Sequence, residues 1–481
     1  MCPSHPWGPV SLVRGLPVAH LVWRCGILET AGENSRAGIG PNRMDGESRK
    51  SEPRSPTGKG ELGPLIGGRV AIIGGGPGGT CAALALVRMA KARGRAVEVI
   101  LFEPKDFVSQ HNQCSGVLSP PLLSLLKQEL DLTLPPDLLQ REITGYVLYG
   151  ESECLDMSAQ DHEDATFAVR RVQFDRFLLD ATEKADVQVK RSRVYDIEFG
   201  PRAVTLYSDG GSWEADVVVG AFGLDRTIGQ ALARRTAYRM PPILDTIVTR
   251  IHPGGLEYIP ALLGDRIHAF LPNLSRIEFG AIIPKGNHIT IIVAGRGVGE
   301  ADMQAFLHLP FVRRLLPQDR DIEQCFKGEF PVGLARGPFG DRYVTVGDTA
   351  GLVRPFKGKG ITSAALSGIR AARTILDVGI SETAFRHYYT ACADITQDLW
   401  YGRTMRSLAH LVSKHLFLDP ILQQAHRDPT LRHALYLCVS AQDTYRNIVG
   451  RILRPGLLFG CVRSMAGFLV SRAIPGRPSC D

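Results

Sequence analysis

The pattern of apolar and polar positions changes character near residue 69. Upstream, an apolar patch over residues 11–28 is interrupted by Arg14, His20 and Arg24, and residues 29–68 turn to Gly, Ser, Pro and charge. Such a composition buries too little apolar surface to order itself, so residues 1–68 are expected to form a disordered extension. The patch lacks the unbroken apolar core of a signal peptide, and Met44 offers an alternative start of translation. From Arg69 the sequence "RVAIIGG" is a continuous β-branched run, the pattern of a strand buried on both faces. Helix-forming residues follow from about Gly78 to Ala92, and then a second apolar run, "AVEVILFE", which ends at Glu103. Strand, helix and strand in this order predict a parallel α/β unit. Further on, "VQVKRSRVYDIEF" and "VTLYSDGGSWEADVVVGAFG" read as a β-hairpin and a returning strand. "RIHAFLPNLSRIEFGAIIPKGNHITIIVAG" alternates as sheet strands do, and from about Glu382 the pattern is helical.

The turn after the first strand carries the chemistry. Gly74, Gly76 and Gly79 fall at G-x-G-x-x-G spacing. The first suits a tight turn, the second lets backbone approach a pyrophosphate, and the third lets the helix pack on the strand. The helix N-terminus adds unpaired N–H groups and partial positive charge for phosphates. Glu103 lies 24 residues past Gly79 at the end of the second strand, where an acid accepts ribose hydroxyls and repels a 2′-phosphate. This favours FAD or NAD over NADP.

A downstream segment separates those two. "RYVTVGDTAGLVRPFKGKGITSAALSGIRAA" (342–372) has a strand ending in Gly347-Asp348, a loop, and then Gly358 and Gly360 opening a helix. Here the chain resembles the flavoproteins built like p-hydroxybenzoate hydroxylase and geranylgeranyl reductase. The resemblance implies FAD, with Asp348 on its ribityl chain and with Pro355, Gly358 and Gly360 bordering the isoalloxazine. "RRVQFDRFLLDAT" resembles the R-x-x-F-D-x-x-L segment of these proteins, which would bring Arg171 to the FAD sugar and phosphates; the alternative is an ion pair with Asp175. Val194 would offer backbone groups to the adenine. The implied fold class is α/β. It has a Rossmann-like FAD-binding domain (69–234 and 332–380), an inserted antiparallel-sheet substrate domain (235–331) and a C-terminal helical region (381–481).

"HNQCSGVLSPPLLSLL" resembles the Cys-Gly segment that geranylgeranyl reductases place beside the flavin, with Cys114 and Gly116 matching. Cys114 is thereby the candidate catalytic residue, shaping the pocket or helping to deliver a proton; the alternative is an inert buried thiol. Two departures bear on substrate and donor. The returning strand reads "VVGAFGLD", with Phe222 where hydroxylases of this type carry an Asp, and Asp225 three residues later. The run Phe279–Pro284 keeps the apolar character of the prenyl reductases' Tyr-x-Trp-x-Phe-Pro strand, with Ala281 in the Trp place.

Composition narrows the partners. Ten cysteines are scattered without a C-x-x-C pair, so no zinc site is expected, and dispersed thiols in a large chain fit a reducing, cytoplasmic setting. From Tyr401 to Asp481 there are eleven Lys/Arg and four acids, which accounts for the chain's whole formal charge of +7. No nucleic-acid module accompanies this charge. "NIVGRILRPGLLFGCVRSMAGFLVSR" mixes Leu, Ile and Phe with Arg and holds no acid, which suits a peripheral position on an anionic membrane surface. A helical subdomain packed on the body is the alternative. The expected function is reduction of C=C bonds in an isoprenoid or other apolar lipid, using FAD and an electron donor that the sequence does not name. A flavin monooxygenase or halogenase, and a non-catalytic prenyl carrier, are the alternatives.

Overall fold

The computed structural model describes residues 62–106, 114–158, 165–354, 360–414, 417–440, 442–452 and 463. Its nucleotide-binding half is built on a six-stranded sheet. The order is Phe339–Gly340, Tyr343–Thr345, Val217–Gly220, Arg69–Ile73, Glu98–Phe102 and Gln188–Lys190, parallel except for the first hairpin. Both faces are covered. Val70, Ile72, Val99 and Leu101 point into one core with the helices Pro77–Ala92 and Gly360–Asp377, while Ala71, Ile73, Ile100 and Phe102 point into the other. Burial on both faces explains why these strands read as unbroken apolar runs. The second core is closed by the antiparallel strands Val194–Phe199, Val204–Ser208 and Gly211–Ala215. From the central strand Arg69–Ile73 the chain runs first to one side and later to the other, so a crevice opens at the carboxyl ends of the strands.

The second sheet is larger than the sequence pattern suggests. Its backbone order is Arg320–Ile322, Ile243–Pro253, Ile289–Gly295, Ile277–Pro284, Arg266–Phe270, Gly145–Tyr149 and Cys154–Ser158, with Phe326–Pro331 also paired to Ile243–Pro253. The strands Gly145–Tyr149 and Cys154–Ser158 come from the stretch assigned by sequence to the first part of the FAD-binding domain. They join through a parallel pairing of Gly145–Tyr149 with Arg266–Phe270. Such a contact between distant segments leaves no mark in a local window. Alternation then divides the faces: Tyr146 and Leu148 point one way, Val147 and Tyr149 the other.

The C-terminal helices split between the two sheets. Phe385, Tyr388, Cys392 and Ile395 belong to the core around Pro77–Ala92. The helices Leu418–Arg427, Pro429–Ser440 and Tyr445–Ile452 instead bury Leu422, Ala434, Leu437 and Ile448 on one face of the large sheet. As far as Ile452, the tail is packed on the body.

Candidate functional site

One cavity of about 1020 Å³ joins the two halves of this architecture. At one end it is lined by Gly74, Gly76, Glu103, Arg171, Val194, Asp348 and Gly360. The other end is mostly apolar, with Glu278, Arg406 and His410 on its wall, and lies between the large sheet and the C-terminal helices. Phe279, Ala281 and Ile283 form its floor, and Met405, Val412, Leu435 and Val439 its roof. The floor residues alternate along one strand, so each points to the same face.

The three glycines differ in what they permit. Gly74 has φ +110, and a Cβ there would stand 2.3 Å from the Ala221 carbonyl oxygen. A Cβ on Gly79 would stand 1.9 Å from the Gly74 oxygen, so helix and turn touch backbone to backbone. A Cβ on Gly76 would meet nothing within 4 Å; its open side faces the cavity. Gly76 also precedes the helix Pro77–Ala92 without any side-chain cap, which leaves the helix N-terminus to an anion from outside. Glu103 does more than its position suggests. One carboxylate oxygen accepts from the Gly75 N–H at 2.7 Å and the other from the Lys105 N–H at 2.8 Å, so it pins the turn as well as facing the crevice.

Asp348 sits in a single helical turn, Gly347–Ala350, directly after the strand Tyr343–Thr345. Among the described residues its carboxylate has no hydrogen-bond partner, and burial raises its pKa against the opposing charge of Arg171. A Cβ on Gly360 would lie 3.0 Å from its Oδ1, so the next helix begins beside it. Pro355 and Gly358 lie outside the described residues. Arg171 makes the ion pair with Asp175 and also reaches the cavity wall. Its Nε donates to Asp175 Oδ1 at 2.7 Å while the residue lines the cavity. Burial disfavours its charge, and Asp175 and Cys114 more than restore it.

Cys114 is a free thiol on the cavity wall, accepting from Arg171 Nη1 at 3.5 Å and from the Gly116 N–H at 3.4 Å. Asp225 also lines the cavity. It caps the helix Arg226–Arg235 through the Thr227 N–H and pairs with Arg193. Phe222 lies edge-on to Tyr238 and borders the cavity.

Two features escape a reading of the sequence. Arg406 makes a two-pronged contact with Glu278, at 2.6 and 2.8 Å, and ties the helix Asp398–Lys414 to the end of the strand Ile277–Pro284. Burial would raise the Glu278 pKa, but Arg406 holds it below the ordinary value. Lys285, which follows the same strand, is buried and directs its ammonium at three backbone carbonyls. Among the described residues no group of His, Cys, Asp and Glu is arranged to hold a metal ion, and no helix is long and apolar enough to cross a membrane.

No family model matches the chain. The digeranylgeranylglycerophospholipid reductase of Methanothrix thermoacetophila is 26% identical over 324 residues, covering 64% of this chain and 77% of that protein. The geranylgeranyl diphosphate reductase of Synechocystis sp. is 26% identical over 330 residues, covering 64% of this chain and 75% of that protein. Among solved structures, a geranylgeranyl bacteriochlorophyll reductase-like protein from Thermoplasma acidophilum superposes with a TM-score of 0.64 at 18% identity, over 80% of this chain and 98% of that one. The chain is thus similar in sequence to prenyl-lipid reductases, and its fold is that of the flavoprotein-type structure it superposes on.

Proposed function

We propose that the chain holds FAD across the carboxyl ends of the parallel sheet and reduces carbon–carbon double bonds of an isoprenoid lipid lying in the apolar chamber. The observation that carries this reading is the continuity of the cavity from the glycine turn to the floor strand. The residues fit a flavin dinucleotide. The uncapped helix N-terminus behind Gly76 would take the pyrophosphate, Glu103 the adenosine ribose, and the Val194 backbone the adenine. Asp348, whose carboxylate faces the cavity with no hydrogen-bond partner among the described residues, would take the ribityl hydroxyls, and Arg171 the sugar and phosphates. Gly360, with Pro355 and Gly358 before it, would border the ring. A bound FAD would supply the hydride.

The chain's own residues then do three things. Phe279, Ala281 and Ile283 with the helical roof give an alkyl chain apolar surface and keep water out. The turn and Asp348 fix where the cofactor ends and the chamber begins. Cys114, on the cavity wall with its thiol held by Gly116 and Arg171, would pass a proton to the second alkene carbon. An electron donor must reduce the cofactor again after each turnover.

The test is anaerobic. The purified holoenzyme is reduced chemically and mixed with a geranylgeranyl lipid. The flavin absorbance is expected to return as the lipid gains two hydrogens, and Cys114→Ala is expected to slow that return with flavin still bound. Turnover that requires oxygen and yields a hydroxylated or halogenated product would replace this reading with the monooxygenase one.

A further inference from the structure

Lys285 has no role in the scheme above, and its surroundings are unusual. The residue is 2% exposed, and its Nζ donates to the carbonyls of Ser115 at 2.7 Å, Gly116 at 2.8 Å and Val169 at 2.8 Å. An ammonium has three N–H donors, and here each has an acceptor. Its backbone is equally fixed. The Lys285 N–H donates to the His288 carbonyl at 2.9 Å, and its own carbonyl accepts from Arg141 Nε at 3.0 Å. The base of the side chain is therefore anchored in the large sheet while its tip holds a turn of the other half.

That turn is the one that carries Cys114. Gly116 has φ +63, and a Cβ there would stand 2.3 Å from the Val169 oxygen and 3.0 Å from Lys285 Nζ. The turn is thus packed against the ammonium with no space for a side chain. Val169 N–H also donates to the Gly116 carbonyl at 2.8 Å, so the ammonium closes a small ring of backbone groups. Along the chain, Lys285 directly follows the strand whose residues Phe279, Ala281 and Ile283 form the chamber floor.

We propose that Lys285 is a positioning residue, which sets the Cys114 thiol relative to the chamber floor by clamping the Ser115 and Gly116 carbonyls. Floor and thiol then share one rigid connection across the boundary between the two halves. Burial pushes the Lys285 pKa down to about 7, with Cys114 opposing and Arg250 assisting. The three carbonyls favour the charged form, because only the ammonium can donate to all of them.

The variants are Lys285→Met, which keeps the volume and removes every donor, and Lys285→Gln, which keeps two. Two readings are made on the holoenzyme. Amide hydrogen exchange over residues 114–118 and 166–169 is expected to quicken at least about tenfold in Lys285→Met, with the parallel sheet unchanged, since local opening is governed by the lost hydrogen bonds. The kcat for prenyl reduction is expected to fall at least about tenfold with KM nearly constant and FAD content complete, the mark of lost placement rather than lost binding. Lys285→Gln should lie between Lys285→Met and the wild type, and carries the same two readings if Lys285→Met does not fold. Wild-type exchange over both segments overturns the proposal. So does a rise spread evenly over the chain, which would make Lys285 a general stabiliser. The kcat arm rests on the reductase reading and the exchange arm does not. Local quickening without any prenyl turnover in the wild type would therefore refute the function while sustaining the clamp.

Discussion

At the scale of single residues, the clearest expectation concerns Asp348. Its carboxylate stands in the cavity wall without a hydrogen-bond partner among the described residues, and hydrogen bonds to a charged group contribute about 1.5–3 kcal/mol each. Asp348→Ala should bind FAD at least about tenfold more weakly, since 1.4 kcal/mol is a factor of ten; titration of apoprotein with FAD measures this, and unchanged affinity would remove the assignment. Asp348 and Glu103 are legible in the sequence for one reason. Glu103 directly follows one apolar strand and Asp348 comes shortly after another, so the pattern that announces each strand also locates the acid. Lys285 offers no such cue. Its three acceptors lie 170, 169 and 116 residues away in the chain, and a lysine after "IIP" reads locally as solvated. Arg406 and Glu278 are silent in the same way, 128 residues apart. What a window of sequence cannot show is a partner brought in by topology.

Among the elements, the strand Ile277–Pro284 and the helix Asp398–Lys414 decide the height of the chamber. The Arg406–Glu278 contact fixes their spacing at one end, and Ala281 lies on the floor between larger neighbours. Ala281→Phe would raise that floor with no change to the glycine turn or to Asp348. The ratio of kcat/KM for a long prenyl chain over a short one should fall at least about tenfold, because each methylene refused by an apolar pocket is worth about 1–3 kcal/mol. Flavin content should stay complete. If both chain lengths are processed as in the wild type, the lipid does not lie on this strand. The expectation that apolar alternation marks the floor came from the sequence. The roof did not, because helical periodicity shows which residues are buried without showing against what.

For the whole molecule, the question is how a water-insoluble chain reaches the site. Residues after Ile452 lie outside the described structure apart from Arg463, and they hold Arg454, Arg463, Arg472 and Arg477 against the single acid Asp481. Tyr445 and Ile448 are fully buried on the large sheet, so a cut before them would damage the core, whereas one after Ile452 spares it. The chain truncated after Ile452 should sediment less with anionic liposomes, and added salt should weaken binding of the intact chain, the Debye length being about 10 Å at 0.1 M. Equal binding to neutral and anionic vesicles, insensitive to salt, would assign the tail no part in docking.

The division of the C-terminal helices between two cores has a bearing on descent. Residues 418–452 bury their apolar side chains in a cluster that contains none of the strands of the parallel sheet. Mutations that reshape this part of the roof therefore leave the packing around the glycine turn untouched. A duplicated gene on this plan can drift towards a new hydrocarbon by small steps while its redox half stays under the old constraint. On the FAD reading the reverse path is closed, since a change in the glycine turn or at Asp348 would weaken the cofactor's hold whatever the chamber had become.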